Sequence, residues 1–83
     1  MTNERLNEIF EETPCENQKN KAFNGLQILS NYTEDLSCCA EHDVIYCASI
    51  DDIVDEITEE DATKLAELNW GLSEFGSFAI YVY

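Results

Sequence analysis

Apolar residues recur at helical spacing in four stretches of the chain and alternate in one. Leu6, Ile9 and Phe10 form the apolar edge of a short helix that Thr2 or Asn3 can cap, and Thr13-Pro14 ends it because a residue before proline avoids the right-handed helical region. The segment ENQKN reads as a linker. Ala22, Phe23, Leu26 and Leu29 then stand at core spacing and predict a second helix over about residues 18–32, with Tyr32 at its end. Asn24-Gly25 inside that stretch is also a hairpin signal.

Further on, Ile50, Ile53, Val54 and Ile57 fall at i, i+3, i+4 and i+7, one buried helical stripe with Ser49 as its N-cap and Asp52 three residues later. Continuing that helix would bring Asp61 onto the buried stripe. Thr58 offers a way out, because it can cap a new helix with Asp61 at the third position and Ala62, Leu65, Ala66 and Leu68 as a fresh apolar face. Two short helices are therefore expected, at about 50–57 and 59–68, with Asn69 as a left-handed terminator.

Strand signals are fewer. Residues 43–48, DVIYCA, are β-branched and aromatic and follow a loop-like segment, NYTEDLSCCAEH. The last fourteen residues read as a hairpin in which Phe78, Ile80 and Val82 point one way and Ala79, Tyr81 and Tyr83 the other. The expected fold is α+β: a small three-stranded, mainly antiparallel sheet with three to four short helices packed on one face. It forms a single acidic domain over 1–83, whose N-terminal helix and linker, 1–16, are held loosely.

Charge changes the picture most. The 83 residues carry 18 Asp plus Glu against 4 Lys plus Arg, a formal charge of −14, while 45% hydrophobic residues is normal for a folded chain. Residues 1–21 account for −2 and residues 22–83, with Lys64 as their one cation, for −12. Duplex DNA carries one charge per about 1.7 Å of axis, so fourteen charges match about 24 Å of duplex, close to the width of a domain this size. Contact with nucleic acid or an anionic membrane would bring like charges together without counterion release. Partners are expected to be basic or neutral, with self-association opposed and a monomer favoured. MTNERLNEIF lacks the apolar run of a signal peptide, and no 18-residue apolar stretch is present, so a cytoplasmic protein with reduced Cys15, Cys38, Cys39 and Cys47 is expected.

Candidate chemistry is thin. Cys38, Cys39, His42 and Cys47 hold four zinc-ligand types within ten residues, but adjacent cysteines seldom both face one metal and no Cys-x2-Cys knuckle is present. A cysteine with His42 and Glu41 or Asp43 has the residue types of a nucleophile, base and orienter, yet no glycine-rich loop provides an oxyanion hole. DDIVDEITEEDA lacks the glycine and alternating oxygens of a calcium loop. No enzyme, metal or cofactor is expected.

The acidic stretch DDIVDEITEED carries seven carboxylates and no base. Asp51 and Asp52, and Glu59, Glu60 and Asp61, fall in first helical turns, where the dipole favours acids by about 0.3–1 kcal/mol each. Asp55 and Glu56 fall in a last turn, where it does not, and are the surplus charge. Asp51, Asp52, Asp55, Glu56, Glu59 and Glu60 are the expected partner-binding residues, joined by Phe75 at the tip of the C-terminal hairpin, where an apolar ring either folds back or is presented to a partner.

The layout AEHDVIYCAS, then ITEEDATKLAELNW, then FGSFAIYVY resembles an arrangement in small proteins of phages and mobile elements, over about residues 26–83. As a class, such tiny acidic proteins resemble anti-CRISPR and anti-restriction inhibitors, several of which imitate DNA. The resemblance implies an inhibitor in the host cytoplasm that binds a basic groove of a nucleic-acid-binding host protein or complex. The alternative is a non-enzymatic accessory factor that binds a host or phage protein through its aromatic hairpin, with charge serving solubility.

Overall fold

The structure, a computed structural model, describes residues 1–14 and 20–81. The chain runs α1 (Asn3–Glu12), α2 (Lys21–Ser30), β1 (Cys39–Glu41), β2 (Val44–Ser49), α3 (Ile50–Ile53), α4 (Glu59–Glu67), β3 (Trp70–Leu72) and β4 (Ser77–Tyr81). The class is α+β as expected, but among the described residues the sheet has four strands rather than three, all antiparallel, in the order β1-β2-β4-β3. Cys15 and residues 16–19 of the linker, and Val82 and Tyr83 of the last strand, lie outside the described residues.

The strand absent from the sequence reading is β1, and its turn explains the omission. Glu41 pairs with Val44, so only His42 and Asp43 connect β1 to β2, and both take positive φ, 50° and 64°. Two left-handed central residues are the mark of a type I′ hairpin turn, whose strong sequence signal is Asn-Gly. His and Asp tolerate that region better than most side chains but do not announce it. Replacing His42-Asp43 by Asn-Gly is expected to stabilise the protein by about 0.5–1 kcal/mol, read as a raised chemical-denaturation midpoint. An unchanged or lowered midpoint would mean that the turn is not set by these φ values.

Helix capping follows the sequence closely. Thr2 Oγ1 accepts from Arg5 N and Thr58 Oγ1 from Asp61 N, each at 3.1 Å. Thr13 is extended and ends α1, and Asn69 ends α4 at φ 68°. Ser49 makes no side-chain cap bond. The first acidic helix is much shorter than 50–57: the N–H groups of Glu56 and Ile57 both donate to Ile53 O, which closes the segment as a turn after one helical revolution.

The core lies between one sheet face and the helices. Leu6 and Ile9 of α1, expected to be held loosely, are buried with Leu29, Ile53, Leu65, Phe78 and Ile80 in one cluster. Paired strand residues share a face, so the register directs Ile45, Cys47, Phe78, Ile80, Trp70 and Leu72 toward the helices. In α2, Gly25 and Leu29 are buried while Phe23 is 61% exposed, against its expected core position. The cause is Trp70: its indole lies against Gly25 and its Nε1–H donates to Lys21 O at 3.0 Å, which turns α2 so that the glycine, not Phe23, faces the sheet.

Candidate functional site

Asp51 and Asp52 sit in the single turn of α3, Asp55 and Glu56 in the turn that follows, and Glu59 and Glu60 in the first turn of α4. All six are exposed. The structure divides them into two groups. Glu59 receives a hydrogen bond from the Arg5 guanidinium at 2.7 Å, and Glu60 lies 3.8 Å from Lys64 one helical turn on. The Arg5 hydrogen bond and charge hold the Glu59 carboxyl below the usual carboxylate range and push the guanidinium further up. Among the described residues no ion pair engages Asp51, Asp52, Asp55 or Glu56.

Because α3 closes after one turn, Asp55 and Glu56 do not stand in a regular last helical turn. No helix dipole therefore disfavours acids there; both are exposed, and among the described residues neither carboxylate has an ion-pair partner. Asp61, the seventh acid, is half-buried and accepts the Tyr32 hydroxyl, while Thr58 N donates to the same hydroxyl at 3.4 Å. Tyr32 thus anchors the start of α4 from the end of α2, a role invisible in the local pattern.

Phe75 comes close to the acidic run in space. The loop 74–76 reverses β3 into β4 with Gly76 at φ 84°, a three-residue hairpin loop with its glycine in the left-handed position. Gly76 O accepts from Ile50 N at 2.9 Å, which ties this loop to the first residue of α3. Asp51 and Glu74 consequently line the same surface groove. Phe75 is 76% exposed and meets Tyr46 edge-on, ring centroids 5.7 Å apart at 75°. The Phe75 loop thus adjoins the start of the acidic run, with Glu74 beside Asp51.

The cysteines depart from expectation. Cys38 and Cys47 are joined by a disulfide, one step beyond the Cys39–Tyr46 pair of the β1–β2 ladder, and are not reduced thiols. Adjacent strand residues face opposite ways, so Cys38 reaches buried Cys47 on the helix side while Cys39 is an exposed free thiol on the other. The His42 side chain is 92% exposed, with Nε2 3.8 Å from Glu41. Among the described residues no group of three His, Cys, Asp or Glu side chains is placed to share a metal. No helix among the described residues is long and apolar enough to cross a membrane.

Neither a protein-family model nor any curated protein or solved structure matches this chain. The candidate site is the acidic run with the neighbouring Phe75 loop. That surface offers carboxylates on α3, on the turn after it and on the Thr58-capped start of α4, with the loop of an exposed aromatic ring adjoining α3. Chemically it can attract cations, desolvate them against a ring and exclude anions.

Proposed function

We propose that the protein is a non-enzymatic inhibitor whose acidic run occupies a Lys/Arg-lined groove of a nucleic-acid-binding complex, in the manner of the anti-CRISPR or anti-restriction proteins that its sequence layout resembles. The observation that carries this reading is the set Asp51, Asp52, Asp55 and Glu56: four exposed carboxylates that no described cation pairs, on a molecule of net charge −14. The protein measures 30 × 26 × 22 Å, and its charge equals that of about 24 Å of duplex, so it presents a DNA-like charge over a DNA-like length. Such complementarity raises the encounter rate and sets orientation, while contacts that exclude water set residence time.

The test is binding to candidate CRISPR and restriction complexes at low salt, with and without competing nucleic acid. Binding is expected to weaken with salt and to be displaced by DNA or RNA. The double substitution Asp55→Asn with Glu56→Gln is expected to reduce affinity by about 3- to 10-fold, mainly through the association rate. Undiminished binding beside saturating nucleic acid would sink the mimicry.

The exposure of Phe75 favours a second reading, an accessory factor that docks through its aromatic loop. In that case Phe75→Ala costs more affinity than the acidic double substitution, and salt has little influence.

A further inference from the structure

The sheet face turned away from the helices carries a feature that the acidic run does not use. Register places Tyr46, Ala79 and Gly71 in one row across β2, β4 and β3, with Val44 and Tyr81 in the next. Around this floor Tyr46, Phe75 and Tyr81 wall a concavity of about 390 Å³, with Glu74 also lining it. Tyr81 is 64% exposed. Glu41, paired with Val44 and exposed, adds a second carboxylate to the same face.

The concavity exists because residue 71 has no side chain. A Cβ built on Gly71 would meet no atom within 4 Å, so the position is open rather than tightly packed. Glycine inside a strand weakens it, and one use of such a position is close approach by another group. Aromatic ring faces carry negative electrostatic potential and attract cations. A perpendicular ring pair forms a corner instead of a closed stack, and the adjacent carboxylate completes a site for a flat cation.

We propose that this concavity seats an arginine side chain of the basic partner, its guanidinium against Tyr46 and Phe75 and hydrogen-bonded to Glu74. The inference rests on the reading above only in taking the partner to be basic. A second copy of the chain is the poorer occupant, since each copy brings −14. Arginine is preferred over lysine because guanidinium is planar, more weakly hydrated and stacks on rings while it bonds a carboxylate in its own plane.

The full chain is titrated with end-capped hexaarginine, hexalysine and hexacitrulline peptides while the ring resonances of Tyr46, Phe75 and Tyr81 are followed by NMR. Hexaarginine is expected to shift these resonances, hexalysine to act more weakly and hexacitrulline not at all. Gly71→Val, which fills open space and suits a strand, is expected to keep the wild-type melting behaviour, abolish the ring shifts and weaken hexaarginine binding by about 3- to 10-fold. Phe75→Ala, at an exposed loop tip, provides the same readout if Gly71→Val fails to fold. Equal binding of hexacitrulline, or wild-type affinity in both variants, overturns the site. If those variants bind normally while Asp55→Asn with Glu56→Gln binds weakly, the acidic-run reading survives and this one fails. The reverse pattern retains the arginine site and removes the acidic run.

Discussion

Gly25→Ala is expected to destabilise the protein by about 1–3 kcal/mol, although alanine is the better helix former by about 1 kcal/mol. The substituted Cβ would stand 1.9 Å from Nε1, 2.4 Å from Cε2 and 2.6 Å from Cδ1 of Trp70. These are atoms of a rigid ring, and the ring is pinned because its N–H donates to Lys21 O in the first turn of the same helix. Either the helix retreats from the sheet or the indole gives up its hydrogen bond and burial. For a chain of this size 1 kcal/mol corresponds to about 4–8 °C, so a fall in melting temperature on the order of 5–20 °C is anticipated. A double-mutant cycle with Trp70→Leu isolates the collision: without the indole, the penalty of Gly25→Ala should shrink or reverse sign. A single variant that melts at or above the wild type would show that the indole does not press on the helix.

Cys38→Ser should cost about 2–3 kcal/mol under oxidising conditions and almost nothing in excess reductant. The bond joins residues nine apart, and closing a loop of that length removes on the order of 2.7 kcal/mol of unfolded-chain entropy. Cys38 is exposed, so serine there buries no hydroxyl in the core, while Cys47 stays behind as a buried thiol. The measurement is paired denaturation of both proteins with and without reductant. Equal stability of the two under oxidising conditions would mean that the Cys38–Cys47 bond does not form.

Helix caps and apolar stripes were legible because they are local. Thr2, Thr58 and Asn69 each act within a turn and stand where expected, and Ile53, Val54 and Ile57 are buried as their spacing predicts, although the helix expected to carry them over 50–57 stops at Ile53. What the pattern missed depends on partners distant in the chain. Phe23 is exposed because Trp70, far along the sequence, takes the place beside α2. β1 needs two left-handed residues that carry no glycine, and the Cys38–Cys47 bond cannot be inferred until that hairpin is known. Of the candidate site, exposure of all six acids was foreseeable from sequence, whereas the Phe75 ring could equally have folded back and is found 76% exposed. The engagement of Glu59 by Arg5 was not, since it requires α1 to pack beside α4, nor was the link between the Phe75 loop and α3. Gly71 carried no signal at all: an unfilled space is visible only once its walls are in place.

The strand order β1-β2-β4-β3 implies an order of assembly and of opening. β1 with β2, and β3 with β4, are hairpins whose strands find each other over short stretches of chain, whereas β2 meets β4 only after α3, α4 and β3 have been threaded between them. That central seam carries the loop-closure cost of the sheet and governs how fast the chain folds. It is also shielded on both sides by an outer strand. Amide hydrogens in the β2–β4 ladder should therefore exchange with solvent last, through whole-molecule unfolding, while the outer strands, which carry Gly71 and Cys39, breathe through smaller local openings. The proposed arginine site straddles that boundary, with Tyr46 and Ala79 on the slow seam and Gly71 on the faster edge.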